Sequence, residues 1–188
     1  MTAPMLLWET IAQHLFAVPN ANVYAILDGA SVPELPQALA RFEVEADCLF
    51  RGELEPDMAQ VAPYLVSVRF DDPFTDWLLQ EGWGRHWGVF AISPVDLRQL
   101  RMHLRTFLKV YGPDLNPLYF RYYDPRVLRV YLPTCNAREL RTVFGPVLRY
   151  VVEGEDPARL LTFRLEGEQA RSERAVLVGQ TATTERRI

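Results

Sequence analysis

The chain has 188 residues, a net charge of −4 and 49% hydrophobic residues. One domain of this length buries a full core, and the hydrophobic share is that of a packed globular protein. The acidic balance argues against nucleic acid as the main partner, because phosphate binding favours a basic face, and no apolar run reaches the roughly eighteen residues of a membrane span.

In chain order, apolar residues recur at Leu6, Leu7, Ile11, Leu15 and Phe16, which predicts a helix over 3–17 ended by Pro19 and Asn20. "VYAILDGA" (23–30) reads as a buried strand running into an Asp-Gly turn. A helix is expected in 33–42, a strand at 48–52, a short helix at 55–63 and a strand at 64–70. Asp72-Pro73 starts a helix that Gly82 ends, and 86–92 is a strand. Residues 93–111 predict a long helix capped by Ser93, with an apolar stripe through Leu97, Leu100, Leu104, Phe107 and Leu108. A strand at 118–123, an Asp124-Pro125 helix start, a helix over 136–146 and two closing strands follow. The fold expected is α/β, becoming α+β at the C-terminal end: a mixed central sheet flanked by helices in a single domain. Residues 1–166 make up that domain, and 167–188, polar apart from "AVLV" (175–178), are expected as a mobile tail or a loosely attached last strand.

Two stretches concentrate chemistry-bearing side chains. "EGWGRHWG" (81–88) packs two tryptophans, Arg85, His86 and three glycines into eight positions. It resembles a glycine-rich phosphate loop on paper. However, it follows a helix and precedes a strand, the reverse of the order that aims helix amides at phosphates. The second stretch, "RYYDPRVLRVYLPT" (121–134), mixes Arg121, Arg126 and Arg129 with three tyrosines, the residue types enriched at the centres of protein interfaces. Basic residues among aromatics would also suit single-stranded nucleic acid; the acidic total speaks against it. HExxH and EF-hand motifs are absent, and Cys48 and Cys135 lack metal-site spacing, so no metal and no cofactor is expected. No nucleophile elbow is present either, which leaves a hydrolase or transferase using His86 with Asp28 or Asp124 as the alternative reading. The N-terminus lacks the basic region of a signal peptide, and a cytoplasmic protein is expected.

The stretches "YAILDGA", "CLFRGE", "APYLVSV", "WLLQEGWGRHWGVFAISP", "LRMHLRTFL", "LYFRYYDPRVLRVYLPT" and "FGPV" occur in this order over roughly residues 23–150. In that set the chain resembles the effector chaperones, or adaptors, of bacterial type VI secretion systems. The resemblance implies a non-enzymatic role: binding a toxic effector and loading it onto the secretion spike protein, without leaving the producing cell. It carries over Arg85, His86 and Trp87 from one stretch, and Arg121, Tyr123, Asp124 and Arg126 from the other, as partner-binding or site-organising residues. A polar cluster of Arg85 and His86 near the Asp124–Arg126 turn is the resulting expectation.

Overall fold

A computed structural model describes residues 7–111 and 114–177. The elements run α1 (Leu7–Leu15), β1 (Asn22–Asp28), α2 (Leu35–Phe42), β2 (Ala46–Cys48), α3 (Pro56–Val61), β3 (Pro63–Val68), α4 (Pro73–Gly82) and β4 (Gly88–Ser93). After these come α5 (Leu97–Leu104), β5 (Lys109–Tyr111), β6 (Pro117–Tyr119), α6 (Pro125–Tyr131), α7 (Ala137–Phe144), β7 (Arg149–Glu153), β8 (Arg159–Glu166) and β9 (Gln169–Val176). Seven strands form one sheet in the order β2-β3-β1-β4-β7-β8-β9, and β5 pairs with β6 in a separate hairpin.

Helices flank both faces of the sheet, as expected, and among the described residues every pairing is antiparallel, with no parallel ladder. β1 and β4 lie at the centre and are buried on both faces. They therefore read as continuous apolar runs, the pattern that usually marks parallel strands. Alternate residues feed two cores. Tyr24, Ile26, Val89 and Ala91 pack with Leu100, Leu128 and Phe144 on one side. Val23, Ala25, Leu27, Phe90 and Ile92 pack with Ile11, Leu35 and Phe74 on the other.

The Asp-Pro starts hold: Asp72 accepts a hydrogen bond from the Phe74 amide at 2.9 Å, and Asp124 accepts from the Arg126 amide at the same distance. The long helix expected over 93–111 is less than half that length, 8 residues from Leu97 to Leu104. Asp96, not Ser93, caps it, accepting from the Gln99 amide at 2.7 Å. Ser93 instead closes β4, its hydroxyl donating to the Pro146 carbonyl at 2.8 Å. Residues 169–176, expected as a mobile tail or a loosely attached last strand, form β9, paired with β8 along its whole length. As an edge strand, β9 turns charge to solvent and exchanges ion pairs with β8, Arg164–Glu173 at 2.6 Å among them. Charge on an edge masks strand alternation and deters further pairing. The rest of the expected tail, 178–188, lies outside the described residues. No helix among the described residues is long and apolar enough to cross a membrane.

Candidate functional site

β1, β4 and β7 are neighbours, and their antiparallel order brings the end of β1, the start of β4 and the end of β7 to one edge of the fold. Both outgoing strands finish on an acid followed by glycine, Asp28-Gly29 and Glu153-Gly154, and both acids are buried. The loop 83–87 enters β4 between them.

Two left-handed residues shape this loop: Gly84 at φ +84° and His86 at φ +60°. Their amides converge on the Glu153 carboxylate. Gly84 N–H donates to it at 2.5 Å, His86 N–H donates at 3.1 Å, and the His86 imidazole Nδ1 donates to the same group. Successive amides in mixed conformations form a concavity suited to an anion. The glycine-rich stretch is thus an anion cradle, and its anion is the chain's own carboxylate. Trp83 fastens the loop to the β7–β8 turn by donating its indole N–H to the Pro157 carbonyl at 2.8 Å. Trp87 is a core side chain, its ring 5.2 Å from that of Trp77 and packed against Gly82.

The segment before α6 supplies the second half of the cluster. Arg121 pairs with buried Asp28, which also accepts from the Ala30 amide at 3.1 Å and the Ser31 hydroxyl at 3.0 Å. Arg126 grips Asp124 with two side-chain hydrogen bonds, Nε at 3.0 Å and Nη2 at 2.7 Å. Arg129 donates to the Glu153 main-chain carbonyl at 2.6 Å. Tyr123 is buried beside Arg121; burial, reinforced by the Asp28 charge, pushes its hydroxyl up to about 12.

Of the residues singled out in the sequence, His86, Arg121, Tyr123, Asp124 and Arg126 gather at this end. Arg126 lies within electrostatic range of Asp28 and Glu153 as well as Asp124. Arg85 does not join them: its guanidinium is exposed and pairs at 3.5 Å with Glu81, one helical turn back. Trp87 contributes packing only. His86 is partnered by Glu153, not by Asp28 or Asp124 as the hydrolase reading required, and both aspartates are held by arginines. Glu153 was missed, although its signal was present: "YVVEG" repeats the apolar-run–acid–glycine pattern of "AILDG". Among the described residues no buried side-chain nitrogen or oxygen lacks a partner, and no group of three potential ligands is placed to hold a metal ion.

Asp124 gives this cluster a measurable pH signature. Burial pushes its carboxyl up, but hydrogen bonds from the Arg126 side chain and amide, with the charges of Arg126 and Arg121, outweigh that and hold it below the usual range. The folded chain therefore binds this proton more weakly than the unfolded one. The resulting stability is complete above the ordinary carboxylate value of about 3.9 and is lost as pH falls from there through the depressed folded value. Asp124→Ala, which also removes the helix cap, is expected to cost about 2 kcal/mol at neutral pH, the ion pair being discounted because Arg126 is half exposed. Urea midpoints should show that difference at neutral pH, and the ionic part should shrink progressively as pH falls below about 3.9. A difference that stays undiminished as pH falls would contradict the assignment.

No curated protein and no solved structure matches this chain. A family model does, over residues 23–142, which run from β1 into α7 and include every residue of the cluster except those at the end of β7 and in the β7–β8 turn: Glu153, Gly154 and Pro157. On that match, covering well over half its length, the chain belongs to the family described as a domain of unknown function, DUF4123.

Proposed function

We propose that this chain is a non-enzymatic adaptor of a type VI secretion system, which binds a toxic effector in the cytoplasm and hands it to the spike protein. The observation that carries the reading is the family match over 23–142, the same region whose motifs resemble the effector chaperones. The sheet-end cluster is consistent with it. Its three acids are spent on arginines, a histidine and backbone amides, which is how a cluster that organises a surface is built. The outward sides of Arg121 and Arg126 remain about half exposed, leaving flat guanidinium faces for a partner.

Deleting the chain from cells with an active secretion system tests this directly. The cognate effector should disappear from the secreted fraction while secretion of the tube continues, and wild-type protein supplied in trans should restore it. Effector secretion that continues undiminished would overturn the proposal. Arg121 and Arg126 are poor sites for charge reversal in such work, because each balances a buried carboxylate. Arg85, exposed and paired only on the surface, can be reversed with a stability change within about 0.5 kcal/mol.

A further inference from the structure

A second surface lies away from the cluster. The loop after β2 and the β5–β6 hairpin enclose a groove of about 400 Å³. Its apolar lining includes Leu54, Met58 and Tyr119, the last two more than two-fifths exposed. Phe50 stacks on Tyr119 with ring centroids 4.8 Å apart, and the Lys109 ammonium sits 5.3 Å above the Tyr119 ring. On the opposite face of the hairpin, the cross-strand pair Val110 and Leu118 is also exposed. Apolar side chains left exposed along one groove are candidates for contact with a partner.

The charge of the groove selects the occupant. Arg51, Arg105 and Lys109 line it and no acid does, in a chain whose net charge is −4. Arg105 is committed to the carbonyls of Cys48, Leu49 and Phe50, and so fixes the loop. Arg51 makes no hydrogen bond or ion pair with another described residue. Glu53 and Glu55 follow in the same loop and Asp57 lies in the first turn of α3, none of them lining the groove. They would repel a continuous phosphate backbone, whereas separate carboxylates spaced by apolar residues can meet the cations and avoid them.

We infer that this groove docks an acidic amphipathic segment of a partner protein, with large apolar side chains seated against Leu54, Met58 and Tyr119 and carboxylates on Arg51 and Lys109. The inference rests on the adaptor reading only for who supplies the segment, which on that reading is the effector. A helix presenting apolar anchors at every third or fourth position is the geometry that suits a groove of this kind.

The test is a titration of the full chain with a fluorescent synthetic peptide in which Leu and Phe recur at that spacing among glutamates. Its counterparts carry glutamine for glutamate, or serine for the apolar anchors. The acidic amphipathic peptide is expected to bind about tenfold tighter than either counterpart, and R51E/K109E, both changes on exposed side chains, should abolish that preference without moving the melting temperature. The milder Arg51→Ala should weaken it partially. Equal binding of the three peptides, no binding, indifference to R51E/K109E, or tighter binding of a single-stranded oligonucleotide would each overturn the inference. Secretion in cells judges the adaptor reading separately. Lost peptide discrimination with intact effector delivery sinks the groove alone; intact discrimination with delivery independent of the chain sinks the adaptor reading alone.

Discussion

Replacing Gly88 by alanine is expected to destabilise the protein by about 3 kcal/mol, enough to lower the melting temperature of a chain this size by about 10 °C. A β-carbon there would sit 3.0 Å from both the Ile26 carbonyl carbon and the Leu27 Cα, and closer still to the Ile26 carbonyl oxygen. These are main-chain atoms of β1, which is held in ladders by β3 on one side and β4 on the other. None of them can move aside without loosening the centre of the sheet. Gly52 supplies the contrast. It has φ +82° and nothing within 4 Å of an added β-carbon, so Gly52→Ala should cost only about 1 kcal/mol of backbone strain. Melting curves of the two variants compare steric closure with conformation alone; a Gly88→Ala protein that melts with wild type would show that the close approach is not tight.

The second large effect concerns Glu153. Glu153→Ala removes the acceptor for the Gly84 and His86 amides and for the His86 ring in one step. With three donors left facing a partly buried gap, the loss should be about 3 kcal/mol. Glu153→Gln retains an amide oxygen for one donor but turns an NH2 group toward the others, so its cost should be smaller. Hydrogen exchange discriminates this from general weakening: the Gly84 and His86 amides should lose protection selectively in Glu153→Ala, while amides in β1 retain theirs. Uniform loss across the sheet would contradict a local cradle.

Much of the architecture was legible in the residues. Aspartate followed by proline marked two helix starts because the side chain supplies an acceptor while proline needs no partner for its missing N–H. Period-two alternation was hidden where it mattered most, in β1 and β4, because helices cover both faces and both sets of side chains are apolar. Strand direction therefore could not be read from pattern, and antiparallel pairing across helical crossovers looks the same in sequence as parallel pairing. β9 was obscured for the opposite reason: at an edge, charges replace the alternating apolar residues. At the site, the arginines and the histidine announced themselves by type, but their partners did not. Glu153 lies 67 positions from His86, and Asp28 lies 93 positions from Arg121. Only the sheet register brings the ends of β1 and β7 to the loop before β4, and nothing local to "GWGRHWG" names the acid that fills its cradle. Arg85, adjacent to His86 in sequence, was separated from the cluster by the left-handed turn that points the histidine inward.

The adaptor account is tested most directly by co-purification of the tagged full chain from its own lysate, with the bound proteins identified by mass spectrometry. The account predicts that a toxin-like effector and the secretion spike protein are recovered together with the folded wild-type chain. Recovery of folded protein with neither of them would contradict it.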